Sequence, residues 1–266
     1  MTAGARMFSG VLLVVLILVL AFLLLPIVNV VAVSFTPSAI FDLPRSELSL
    51  RWYRQLWRLD SFWESFFNSL KIALLATICA TTMGILCAIA IVRKRFPGHA
   101  AVELLITAPL MLPGLVIGIA LLHALRSIQI YDALTGLLIA HVVITIPFVM
   151  RSVIGSLGQF DFVLLDAAQS LGMRPDMAVV KVLIPNIAPG VLSGALFAFI
   201  TSFDNYSVSI FLTDPRVKTL PIQMLNYLDE APDPSLAAIS TVLIGMTVAI
   251  LYVCDRMIGI RSLASE

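Results

Sequence analysis

Long apolar runs separated by shorter polar intervals dominate the chain. Six of them approach the roughly 20 residues that an α-helix needs to cross a bilayer. They are Phe8 to Val33, Phe66 to Val92, Ala101 to Leu125, Ala133 to Met150, Pro189 to Leu212 and Leu236 to Ile258, the fourth being the shortest. None alternates polar and apolar positions with a period of two, which argues against strands. The first run follows Arg6, yet it exceeds the roughly 7–15 residues of a signal-peptide core and reads as a retained helix. The pattern predicts an all-α, polytopic membrane protein with six transmembrane helices, built as one domain over residues 1–266.

Two polar intervals exceed simple turns. Residues 34–65 contain "LSLRWYRQLWRLDSFWESFF", whose mixture of Trp, Tyr and charge suits a helix lying in the membrane interface. Residues 151–188 contain "DFVLLDAAQSLGMRPDMAVVKVLIPNIAPG", which reads as two helices and a turn. Asp161 is placed to cap the first helix, and Leu164, Ala168 and Leu171 recur at helical spacing as one apolar face. Gly172 suits the left-handed residue that ends a helix. Pro175 suits the first turn of the next, with Asp176 near the positive end of its dipole. Pro185 and Pro189 then stop that helix and open the fifth span. On local physics alone this is an amphipathic hairpin packed under the membrane helices, although Ala167 and Ala168 leave room for a second surface.

Composition agrees with a membrane chain. Of 266 residues, 60% are hydrophobic and 12% charged, and mean hydropathy is +1.02; soluble domains average about 45–50% and about 25%. A net charge of +1 supplies no field for nucleic acid. Cys79, Cys87 and Cys254 lie singly in apolar runs and read as small buried hydrophobes. With an even number of spans both termini share a side. The short basic run Arg93-Lys94-Arg95 marks that side as cytoplasmic. Nine of the 17 Lys and Arg then fall inside and seven outside, with Lys71 left near the outer end of the second helix, a weak majority. No P-loop, HExxH, CxxC or GxSxG occurs. His123 and His141 fall in spans, where a lone His reads as a helix–helix hydrogen-bonding residue. Asp204 is the acid well inside a span. It either faces a translocation path, with Asn205 and Tyr206 sharing a polar lining, or reaches the outer interface.

The inner loop resembles the signature of permease subunits of binding-protein-dependent ABC importers: Glu-Ala-Ala, three residues, Gly, nine residues, Ile, one residue, Leu-Pro. Here Asp166-Ala167-Ala168, Gly172, Val182, Ile184 and Pro185 stand at that spacing, with Asp for Glu, Val for Ile and Ile for Leu. A narrower stretch, "FAFITSFDNYSVSIFLTDP", is similar to spermidine/putrescine-type permeases, many of which carry two acids where this chain has Asp204-Asn205.

The resemblance implies a type I ABC importer permease fold in a bacterial inner membrane, both termini cytoplasmic, passing a small polar solute inward. The solute would be polyamine-like, amino-acid-derived or related. It implies that the loop docks on an ABC ATPase subunit present in two copies. It further implies a second permease, related but different, and a periplasmic solute-binding protein. No cofactor is expected on this chain; ATP and Mg belong to the ATPase, so the chain is not itself expected to be an enzyme. Two other readings stay open: an ATP-independent secondary transporter or channel, and a non-transporting membrane scaffold.

Overall fold

The computed structural model describes residues 3–44, 47–93 and 96–263. Lys94 and Arg95 of the basic run, and Arg45, lie outside the described residues. Among the described residues no strand forms. The helices are α1 (Ala3–Val33), α2 (Arg51–Leu56), α3 (Asp60–Val92), α4 (His99–Thr107), α5 (Gly114–Ser127), α6 (Ala133–Leu157), α7 (Val163–Ser170), α8 (Pro175–Ala178), α9 (Ile184–Asn186), α10 (Ala188–Phe203), α11 (Ser209–Leu212), α12 (Leu220–Glu230) and α13 (Ser235–Leu263).

Four continuous helices, α1, α3, α6 and α13, are long and apolar enough to cross a membrane. The total reaches six when two bent helix pairs each count as one span. The expected third span is not one straight helix. His99–Leu110 and Gly114–Ser127 meet at 111°. Ala108 before Pro109 stays helical and Ala108–Leu110 forms a single tight turn, so the break falls at residues 111–113, where Pro113 is extended (ψ 132°) ahead of α5 and proline disfavours helical backbone in the residue before it. The expected fifth span is also shorter. Helix α10 ends at Phe203, and Asp204 to Val208 separate it from α11. Conversely the fourth span, expected to be the shortest, runs through Pro147 to Leu157, since neighbouring helices compensate a buried proline in a membrane helix. The interfacial stretch divides: Arg51–Leu56 is a short helix, and the remainder from Asp60 is already the start of α3.

The chain gathers into two compact units, Met1–Asp60 with Met224–Tyr252, and Ser61–Gln223 with Val253–Glu266. In the first, α1 from Val11 to Val28 presents apolar side chains to the outside on all sides. The segment after it is fixed by polar ties. Trp52 Nε1 donates to the Thr36 carbonyl at 2.8 Å, and the Ser34 and Tyr53 hydroxyls meet at 2.8 Å. Asp233 accepts from Gln55 Nε2 and the Tyr227 hydroxyl at 3.0 and 2.8 Å.

The second unit is centred on α6 packed along α10. Gly194 permits the close approach: a Cβ there would stand 2.8 Å from Val149 Cα and 3.2 Å from Ser152 Cβ. Two apolar cores flank this pair. One gathers Ala88, Ile91, Val153, Leu157, Leu165, Ala178 and Leu183 where α3 and α6 end. The other gathers Ile72, Ile117, Leu125, Leu137, Val208 and Leu212 toward the opposite end. Each core supports one candidate region.

Candidate functional site

The loop between α6 and α10 is a folded helical element. Asp161 Oδ1 accepts from Val163 N at 2.9 Å and so satisfies a free amide at the start of α7. At its other end Leu171, Gly172 and Met173 donate back to Ala167, Gln169 and Ala168 carbonyls at 3.1, 2.9 and 3.1 Å. Gly172 has φ +89°, the left-handed conformation that reverses the chain. Arg174 is extended before Pro175, which opens α8. The Arg174 guanidinium donates to Asp176 Oδ2 at 3.1 Å, with both side chains largely exposed. Residues Val179–Leu183 then widen into a π-turn, the kind of irregularity that often accompanies functional helices. Pro175–Asn186 and Ala188–Phe203 meet at 74°.

The apolar face of α7 differs from the expectation. Leu165, not Leu164, is buried at 1% exposure, with Phe162 and Ala168 packed beside it on the core at the ends of α3 and α6. Leu164 is 49% and Leu171 90% exposed. The sequence pattern contains two apolar stripes, and the one through Leu165 fits the pocket between the ends of α3 and α6. The Arg93 guanidinium lies 5.8 Å over the Phe162 ring, adding a tie from α3. The signature residues divide accordingly. Ala168, Val182 and Ile184 face the core; Asp166, Ala167, Gly172 and Pro185 face outward. Among the described residues the Asp166 carboxylate takes no partner. Val163, Leu164, Leu171 and Val180 leave exposed apolar surface around the left-handed turn, a feature of surfaces that bind other molecules.

The second region is the break after α10. Asp204 caps that helix, its amide donating to the Ile200 carbonyl at 3.1 Å. Asn205 Oδ1 accepts from Val208 N at 3.0 Å and rebuilds a turn. His141 of α6, buried at 1% exposure, holds both sides of the break. Its Nδ1 lies 2.8 Å from Ser202 Oγ and its Nε2 3.0 Å from Ser209 Oγ. The Ser209 hydroxyl spends its one proton on the Asn205 carbonyl at 2.6 Å. Nε2 must therefore donate to Ser209, and a neutral ring leaves Nδ1 to accept from Ser202. His141 is thus a helix–helix tie, as its place in the sequence suggested, but one that spans a discontinuity.

Asp204 is exposed and Asn205 and Tyr206 half-buried. Among the described residues the Asp204 carboxylate has no hydrogen bond or ion pair. It sits at the carbonyl end of α10, where the helix dipole disfavours negative charge and favours a cation. The clue to the break lay in "SFDNYS", a cluster of turn-forming residues inside an apolar run. Its tie to His141 had no local signal, because the partners lie 61 and 68 residues away.

Residues 80–260 match the family described as binding-protein-dependent transport system inner membrane component. The chain is 31% identical to the spermidine/putrescine transport system permease protein PotC of Haemophilus influenzae, covering 88% of this chain and 90% of that one. It is also 31% identical to the putrescine transport system permease protein PotI of Escherichia coli, covering 87% and 85%. Its fold is that of a bacterial ABC transporter chain involved in importing the acidic polysaccharide alginate. The TM-score is 0.71 at 16% identity, over 97% of this chain and 98% of that one.

Proposed function

Because the chain belongs to the family of binding-protein-dependent transport system inner membrane components, we propose that it forms half of an ATP-driven path for a small polar solute bearing an ammonium group. Polyamine-like and amino-acid-derived solutes both meet that description. The exposed, unpartnered Asp204 at the carbonyl end of α10 carries this reading. Asp204 lies in the break between α10 and α11, and acids among membrane helices usually face water or a cavity. Asn205 and Tyr206 share the lining.

The other half of the path comes from a related second permease, and the solute arrives on a periplasmic binding protein. On the opposite, cytoplasmic face, where both termini also lie, two ATPase subunits bind ATP and Mg. Asp166, Ala167, Leu171 and Gly172 dock on one of them. When ATP closes the ATPase pair, α7 moves as a rigid lever, because Leu165 and Phe162 anchor it to the ends of α3 and α6. Rigid-body motion of this kind transmits work without catalytic groups in the permease.

The test is Asp204→Asn in the intact complex. Uptake and solute-stimulated ATP hydrolysis should both fall while the complex still assembles. Unchanged values of both would remove Asp204 from the path. For the loop, Ala167→Arg should leave the permease in the membrane and lose the ATPase; Ala168→Arg is a poorer probe, since Ala168 is packed on the core.

A further inference from the structure

The first turns of α3 and the loop 214–219 enclose a small open cleft of about 100 Å³, lined by Ser61, Glu64, Asn68, Arg216, Lys218 and Gln223 among others. Its walls are fixed. Asn68 Nδ2 donates to the Lys218 carbonyl at 3.3 Å, and Leu220 N donates to Ser69 Oγ at 2.8 Å. Asp214 Oδ1 accepts from Arg216 N and Val217 N at 2.8 and 2.7 Å, which holds the loop in a turn. Within these walls stand one carboxylate and two cations, and among the described residues none of the three makes an ion pair. Lys218 and Gln223 are half-buried, and Glu64 and Arg216 are exposed to solvent.

We propose that this cleft is an entry site for an amphoteric solute, a compact molecule with a carboxylate at one end and an ammonium group at the other. Arg216 and Lys218 take the carboxylate, Arg216 through its planar fork. Glu64 takes the ammonium group. A diamine would satisfy Glu64 but bring its second charge against two cations. A simple anion would meet the cations and be repelled by Glu64. The site lies next to the proposed path. Phe66, between the lining residues Ser65 and Asn68, meets Phe203 edge-on at 5.8 Å, and Phe203 directly precedes Asp204. The inference rests on the importer reading and narrows its solute to an amino-acid-like class.

A matched pair of probes decides it: γ-aminobutyrate and putrescine share a similar chain and differ in the charge of one end. Equilibrium dialysis against the membrane-embedded complex, without ATP and without binding protein, should show γ-aminobutyrate bound at least about tenfold more tightly than putrescine. Glu64→Gln and Lys218→Gln should each weaken γ-aminobutyrate about tenfold, and Lys218→Arg should restore most of the binding. Size-exclusion chromatography checks that each variant still assembles. Equal or tighter binding of putrescine overturns the proposal, as does binding of neither probe, or γ-aminobutyrate binding that both Gln variants leave intact. ATP hydrolysis by the same preparation reports separately on the importer reading. A complex that hydrolyses ATP yet fails the binding test loses only the cleft. A permease that never associates with an ATPase loses the importer reading, while the probe ratio still judges the cleft.

Discussion

Substituting asparagine at Gly172 separates a folding role for the turn from a docking role. Among the described residues two glycines have left-handed backbones, Gly172 at φ +89° and Gly98 at φ +84°. At both, an added Cβ would meet no atom within 4 Å. Asparagine tolerates this conformation better than other non-glycine residues, and the left-handed penalty for an ordinary residue is about 1–2 kcal/mol. Gly172→Asn and Gly98→Asn should therefore cost the isolated permease similar, small amounts. The difference lies outside the chain. If an ATPase subunit closes over α7 and its turn, the asparagine side chain introduced by Gly172→Asn must fit a packed interface. Overpacking costs about 1–3 kcal/mol, which corresponds to about 5- to 150-fold weaker ATPase binding. The assay titrates purified ATPase onto permease complexes in nanodiscs after matching membrane abundance by immunoblot. Gly172→Asn should bind weakly and transport poorly, whereas Gly98→Asn should match the parent. Parental ATPase affinity in Gly172→Asn, or an equal loss in Gly98→Asn, would refute the docking assignment.

Three further outcomes follow from the packing. Gly194→Ala places a methyl 2.8 Å from Val149 Cα, which no rotamer relieves; it should lower the melting temperature in detergent. Gly155→Ala, open to space on α6, should raise it slightly through helix preference of about 0.5–1 kcal/mol, so shifts of the same sign would contradict the α6–α10 contact. His141→Ala leaves Ser202 and Ser209 without their ring partner and should cost about 2–4 kcal/mol of stability. His141→Asn should recover part of that loss, and equal melting temperatures for the Ala and parent chains would dismiss the tie. Leu165→Ala should destabilise the permease by about 2–5 kcal/mol, whereas Leu171→Ser should leave its melting temperature alone and reduce ATPase co-purification; the opposite assignment of effects would mean that the faces of α7 are reversed.

Much of this protein was legible along the chain. Apolar runs of membrane-crossing length depend only on local hydropathy and on helix rise. Gly172 and Pro175 act through their own backbone restrictions, so the turn after α7 could be read from residues 166–176 alone. The loop signature could be recognised for the same reason, since its spacing belongs to one short segment. What escaped was decided at longer range. Helical periodicity offers two apolar stripes on α7, through Leu164 or through Leu165, and only the pocket between the ends of α3 and α6 selects the second. The apolar run from Ala101 to Leu125 reads as one span by hydropathy, which does not register the change of direction at residues 111–113, where the two helices meet at 111°. The break at Asp204 is stabilised by His141 bridging Ser202 and Ser209 across 61 and 68 residues. The cleft of Glu64, Arg216 and Lys218 joins segments held together by a hydrogen bond spanning 150 residues. Local rules set where helices form and turn, because a residue's backbone restrictions travel with it. Which face is buried, and which charges share a cleft, depends on distances that exist only once the helices have packed.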